Sequence, residues 1–316
     1  MKNQKNLLGL FLAFLLFPIS VLGQQFNNEG MVYKVLSEAE QTVILHKAHR
    51  CVQNFQVPYA VADYSESLYR VKEIEYDAFR NLDCLYVLNL NGVEVIRDGY
   101  ARRYEDGAMD YFGAFANCRN LKEVAFGALK HLGDYAFYGC NQLTELFLDH
   151  VEMIGKGAFQ NCKNLEKVSL GGKVQMVLED AFVGAAQVKQ VEVKAIQPPV
   201  CGENVFSPSV YEQVPLCVPA GSGAAYRRAD GWKHFVKIEE MPVTAIPTVT
   251  AAKVSLHGGE VWVDAVPRGK MLRVYEVSGR QVLQKTSEGG VLRLALPLGK
   301  IYWIQVEHQP SIAIKM

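Results

Sequence analysis

Apolar residues recur through the middle of this chain with a period much longer than that of a helix or a strand. Ala-Phe pairs stand at Ala78-Phe79, Ala114-Phe115, Ala136-Phe137, Ala158-Phe159 and Ala181-Phe182, so successive phenylalanines are 36, 22, 22 and 23 residues apart. Six residues after each phenylalanine an apolar residue opens a register spaced L-x-x-L-x-L. The registers are Leu85/Leu88/Leu90, Leu121/Val124/Phe126, Leu143/Leu146/Leu148, Leu165/Val168/Leu170 and Val188/Val191/Val193. Steps of nearly equal size mark a repeat architecture. The last two apolar residues of each register are two apart, so they share one face of a short strand. The first turns the chain into that strand, and the Ala-Phe pair returns along the opposite side of the coil. The ring fills the interior and the small alanine lets the backbone pass close. One unit cannot bury these groups alone, but stacked units bury them as one column. The pattern therefore predicts a mainly β solenoid, with a short strand plus a turn or short helix per repeat.

The pattern changes after residue 240. The stretch "MPVTAIPTVTAAKV" (241–254) is rich in Pro, Thr and Ala and reads as a linker over 241–253. Beyond it, short alternating runs are separated by turn signals such as His257-Gly-Gly and Ser287-Glu-Gly-Gly. Such runs predict a small β-sandwich over 254–316. At the other end, Lys2 and Lys5 precede an apolar run from Leu7 to Phe17, and Val21-Leu22-Gly23 offers small residues before Gln24. Residues 1–23 read as an export signal. The alternative, an uncleaved anchor, conflicts with a run shorter than the ~20 residues a span needs. The mature chain, with its repeat domain over 24–240, is expected outside the cytoplasm and without a membrane-spanning segment.

Cysteine usage sharpens this picture. Seven cysteines in an exported chain suggest disulfides, yet seven is odd. Cys118, Cys140 and Cys162 each lie three residues after a column phenylalanine, where other units carry Leu82 or Ala185. That exchange points to a buried column of small hydrophobes, which a free thiol suits. A metal site is the alternative, but neither C-x-x-C nor paired histidines support it. Cys201 and Cys217 flank a loop that a disulfide could close. The 33 basic and 33 acidic residues cancel, so there is no general attraction to nucleic acid or anionic membrane.

Catalytic signatures are lacking: no G-x-S-x-G, H-E-x-x-H, P-loop or dinucleotide fingerprint occurs, and the seven histidines are scattered. The sequence thus offers no catalytic residue, metal ligand or cofactor site, and its candidate chemistry is surface recognition. The residues between the register leucines should point onto the concave face. They include Asn89, Asn91, Glu145, Phe147, Ser169 and Gly171, with Phe147 the outward aromatic. The first step exceeds the regular one by the stretch "GYARRYEDGAMDYF" (99–112). Tyr100, Arg102, Arg103, Tyr104 and Tyr111 crowd it. Tyr and Arg are enriched at binding hot spots, and insertions in repeats often fall on one usable face. The alternative is a lengthened loop without function.

The stretch "IGKGAFQNCKNLEKVSL" (154–170) resembles the BspA-like class of leucine-rich repeats. The runs "GMVYKVLSEAEQTVILHK" (30–47) and "LCVPAGSGAAYRRADGWKHFVKIEEM" (216–241) resemble the leading hairpins and the exit cap of that class, with a short helix expected over Tyr226–Trp232. The run "LRVYEVSGRQVLQ" resembles the C-terminal sorting domain of Bacteroidetes type IX secretion cargo. Gly279-Arg280, Leu298-Gly299 and Lys315 match it, while Tyr302 is displaced by one residue from the family's G-x-Y spacing. The resemblances imply a leucine-rich-repeat solenoid, and the export signal, the repeat scaffold and the missing catalytic set point to a non-enzymatic binding or adhesion protein, secreted or held at the cell surface. Its expected partner is a host or bacterial surface protein or a glycan. An exported hydrolase with an unrecognised site, or an envelope component without an external ligand, are the competing readings, because such repeats are scaffolds.

Overall fold

The computed structural model describes residues 24–50, 52–241, 253–257, 260–266, 268–276, 281–297, 301–306 and 312–315. The expected export signal, most of the 241–253 linker and the turns at Gly279-Arg280 and Leu298-Gly299 lie outside these residues.

Each leucine register makes one short strand: Val87–Asn89, Glu123–Ala125, Glu145–Leu148, Lys167–Leu170 and Gln190–Val193. These strands pair in parallel and in step, so that Glu145 lies opposite Lys167 and Lys167 opposite Gln190. The row begins one strand earlier, at Asn54–Gln56, and runs on through Leu216–Val218 and Ile238–Glu240. It is split into pieces of three and five strands, between Glu123–Ala125 and Glu145–Leu148. A second row of two-residue strands lines the other side of the coil: Val95–Ile96, His131–Leu132, Met153–Ile154, Met176–Val177 and Val200–Cys201. It continues the sheet of the leading hairpins, giving ten strands. The protein is a β-rich leucine-rich-repeat solenoid.

The Ala-Phe pairs explain why the units stack. The rings of Phe79, Phe115, Phe137, Phe159, Phe182 and Phe206 form one column, with neighbouring centroids 4.9 to 5.4 Å apart and planes within 14° of parallel. The amides of Phe79, Phe115, Phe137 and Phe159 donate to the alanine carbonyl of the following unit at 2.7 to 2.8 Å. Phe182 makes the same bond to Val205 at 2.8 Å, which reveals a sixth unit. Its Val205-Phe206 replaces the Ala-Phe pair, so the pair alone undercounts the repeats.

The column cysteines are free and fully buried. The thiols of Cys118, Cys140 and Cys162 donate to the carbonyls of Phe79, Phe115 and Phe137, each in the preceding unit, at 3.1, 3.2 and 3.3 Å. Burial pushes Cys118 and Cys162 up to about 12 and Cys140 well above its ordinary value. These groups are packing elements with a weak directional bond and hardly any thiolate. Cys201 and Cys217 are free rather than paired, because Cys201 sits in the second row and Cys217 in the concave row, on opposite sides of the coil. Cys84, which the sequence did not single out, is disulfide-bonded.

The exit cap closes the column with Phe235 and the fully buried Tyr226 and Trp232. Tyr226 donates its hydroxyl to Ala195 O at 2.7 Å, and Trp232 donates its indole N–H to Pro199 O at 2.8 Å. The single helix expected over 226–232 is instead two pieces, Gly223–Tyr226 and a 3-10 turn at Trp232–His234. Gly231, at φ 76, breaks the run between them.

Among the described residues, seven antiparallel strands follow from Lys253 to Lys315, in sheets of three and four. The sheets share a core of their own, including Val261, Val263, Leu272, Val274, Leu294, Tyr302 and Ile304. Alternating apolar runs thus made a small β-sandwich. Arg273 of this sandwich donates to Glu123 of the concave row at 2.5 Å.

Candidate functional site

The long first step is a structured arm. Tyr100–Arg103 and Met109–Phe112 pair as an antiparallel hairpin, with Tyr100 opposite Phe112, Arg102 opposite Asp110 and Arg103 opposite Met109. The turn is closed by Tyr104 N–H to Ala108 O at 2.9 Å and by Ala108 N–H to Asp106 Oδ1 at 2.9 Å. Glycines stand at both roots because the backbone passes too close for a side chain. A Cβ on Gly99 would lie 1.9 Å from Phe112 O, and one on Gly113 would lie 1.8 Å from Tyr135 O.

Side chains alternate across the hairpin, and each face is seated on a different repeat. On one face Tyr100 stacks on Phe112 at 4.5 Å and meets Tyr76 edge-on at 5.6 Å. The guanidinium of Arg80 lies 4.1 Å from the Phe112 ring centre. It also donates to Tyr111 O at 3.0 Å and to the Asp110 carboxylate. On the other face Tyr111 stacks on Tyr138 at 3.9 Å and touches Tyr135 at 5.2 Å. Asn161 donates to the Tyr138 hydroxyl at 3.0 Å. Burial pushes the Tyr135 and Tyr138 phenols upward, so this seat stays neutral. Held from both sides, the arm presents an exposed end. Arg102, Arg103 and Tyr104 are exposed there, with the Arg102 guanidinium 5.4 Å from the Tyr104 ring centre.

Five of the seven candidate residues are therefore gathered in one hairpin, but in two roles. Arg102, Arg103 and Tyr104 face solvent, Tyr100 is shared between solvent and Phe112, and Tyr111 is half-buried in the seat. Glu145 and Phe147 stand apart in the concave row. Glu145 is exposed, and Phe147 is half-buried with Lys167 Nζ 5.3 Å from its ring centre. The expected concave face is also less open than strict alternation implies. Asn89, Asn91, Ser169 and Gly171 are buried. Asn89 Oδ1 accepts from the Asn91 amide at 2.9 Å, and Asn91 Nδ2 donates to Val57 O at 3.3 Å, turning these side chains back into the coil. Ser169 lies between the larger Phe147 and Glu192 on the neighbouring strands. The sequence reading missed Arg80, Asp110, Phe112 and Tyr138. Two signals were present: the glycines bracketing the insertion, and the placement of Arg80 and Tyr138 one residue after a column phenylalanine.

Residues 111–210 match the family model described as BspA type Leucine rich repeat region, in six copies. The outgoing strand and the tip of the arm lie before the matched BspA-type segment. No curated protein sequence matches the chain. Among solved structures, the pneumococcal vaccine antigen PcpA is 16% identical with a TM-score of 0.48, covering 64% of this chain. The chain spans about half (51%) of the length of PcpA. The T. pallidum leucine-rich repeat protein is 17% identical with a TM-score of 0.41, covering 68% of this chain and 98% of its own. A leucine-rich repeat protein from Bacteroides ovatus is 17% identical with a TM-score of 0.38, covering 68% of this chain and 67% of its own. No helix among the described residues is long and apolar enough to cross a membrane.

Proposed function

We propose that this is a non-enzymatic binding protein, exported to the cell surface or secreted, that contacts its partner through the arm at 99–112. The observation that carries the reading is the arm's construction. Its root is fixed by Arg80, Phe112 and the Tyr111–Tyr138 stack, while Arg102, Arg103 and Tyr104 are left free to be covered. Ordering is largely complete before binding, which lowers the entropic cost of association. Tyr and Arg side chains can each cost over ~2 kcal/mol when truncated from a binding core. The concave row offers less, because its large side chains are dispersed among buried or small ones. The partner is a host or bacterial surface protein or a glycan.

In this reading residues 24–240 bind, the linker at 241–253 connects, and the sandwich at 254–316 is a sorting module for surface attachment. The separate core of the sandwich supports treating it as a unit of its own. Purified wild-type protein and a variant with Arg102, Arg103 and Tyr104 changed to alanine are screened against matrix proteins, bacterial surface extracts and glycans. The variant should bind at least tenfold more weakly, about 1.4 kcal/mol, with an unchanged melting temperature. A partner that binds both equally well refutes the arm as the contact. Deleting 243–316 should abolish surface attachment while the repeats stay folded; unchanged display removes the sorting role.

A further inference from the structure

The first strand of the concave row, Asn54–Gln56, is an edge. It pairs with Val87–Asn89 on one side, and no described strand pairs with it on the other. Which backbone groups are open follows from its bonds. Val87 N–H donates to Gln53 O at 3.0 Å, and Val57 N–H donates to Asn89 O at 2.8 Å. Residues 53 and 57 thus turn their backbone toward the neighbouring strand, and so does residue 55. By the alternation of an extended chain, the N–H and C=O groups of Asn54 and Gln56 turn away from it, an open edge of the kind that templates strand pairing. Pro58 has no N–H to offer and ends the edge.

That edge borders a cavity of about 480 Å³ at the N-terminal end of the coil. Asn54, Phe55 and Gln56 line it together with Met31, Tyr33 and Val61. The volume lies in the ~300–1,000 Å³ range of small-ligand sites and excludes a folded domain. The Gln56 side chain is only 7% exposed, yet neither its Oε1 nor its Nε2 has a hydrogen-bond partner among the described residues. A buried amide with both atoms unmatched is uncommon and calls for an explanation. A solenoid also needs its terminal unit covered, because each unit is completed by its neighbours.

We propose that this cavity takes a short extended peptide, which continues the concave sheet as an added strand beside Asn54–Gln56. The peptide backbone pairs with the open groups of Asn54 and Gln56, and the Gln56 amide gains a partner. An apolar side chain of the peptide fits against Met31 and Val61. This is strand addition, in which main-chain bonds supply affinity and pockets for alternate side chains supply selectivity. It is a second site, and it stands or falls separately from the arm.

The test uses the full chain, labelled with 15N, and the peptide acetyl-Val-Ser-Val-Ser-amide as probe. Two further versions carry N-methyl groups on the first and third, or on the second and fourth, residues. Strand addition predicts shifted and exchange-protected amides at Asn54 and Gln56. One methylated version should lose at least tenfold in affinity, because its blocked amides face the edge. The other should bind like the parent. The proposal is overturned if neither amide responds to any peptide, or if the two methylated versions bind equally well. Concentration-dependent shifts at these amides without peptide would assign the edge to a second copy of the chain and also overturn it.

Discussion

Replacing Phe137 with alanine tests the column directly. Phe137 is fully buried, with Phe115 and Phe159 stacked at 5.0 and 5.4 Å and Phe126 edge-on at 5.7 Å. Truncating a buried phenylalanine costs ~3–5 kcal/mol from lost transfer and the cavity left behind. Each aromatic pair adds ~0.5–1.5 kcal/mol beyond area. Three contacts place the expected loss at the upper end, about 4–5 kcal/mol, because the pair energies overlap with the transfer term. That is a large share of the ~5–15 kcal/mol of a typical domain. The stacked backbone ladders on either side hold the ring in place, so collapse should relieve little of the cost. The assay is urea unfolding followed by circular dichroism and by thiol labelling of Cys118, Cys140 and Cys162, which report on the column alone. The midpoint should fall with an unchanged slope. Tyr104→Ala, on the exposed tip, should stay within ~0.5 kcal/mol. A Phe137→Ala loss below about 1 kcal/mol, the average for an arbitrary substitution, would show that the ring is not part of a packed column.

Further outcomes follow from the same contacts. Without reductant, Cys118, Cys140 and Cys162 should label only after denaturation; finding all three blocked would refute free thiols in the column. Their raised values also fix a pH dependence. Stability from the buried thiols is complete below the ordinary value of 9.0 and is lost as pH rises toward about 12. Changing the three to alanine should flatten the alkaline fall in the urea midpoint, and an unaltered fall would assign it elsewhere. Gly113→Ala puts a Cβ 1.8 Å from Tyr135 O and should lower the melting temperature through ~1–3 kcal/mol of overpacking. Unchanged melting would mean that the root of the arm is not held as described.

The repeat was legible because its signal is steric. A ring of constant size that returns at three nearly equal steps of 22, 22 and 23 residues points to stacking. The same reasoning missed the sixth unit, where Val205 stands in for alanine, since the ladder needs a carbonyl and tolerates valine at its end. The arm was legible as surplus length, and its Tyr/Arg content marked it as a candidate. What each residue does was not legible, because that depends on pairing register. Tyr100 shares a face with Phe112, and Tyr111 points the other way into Tyr138. Alternation along a strand is a local rule. It failed at Asn89 and Ser169, where side chains from adjoining segments and strands decide exposure. The separation of Cys201 from Cys217 and the break at Gly231 depend likewise on three-dimensional placement.

The central claim is that the rigid arm, rather than the concave row, meets the partner. A photo-crosslinking amino acid at position 104 and, in a separate protein, at position 145 distinguishes the two surfaces. Both proteins are irradiated on host matrix and on intact bacterial surfaces, and covalent adducts are identified by mass spectrometry. The account predicts one recurrent adduct from position 104 and none from position 145. The same adduct arising from position 145 and absent at 104 would contradict it.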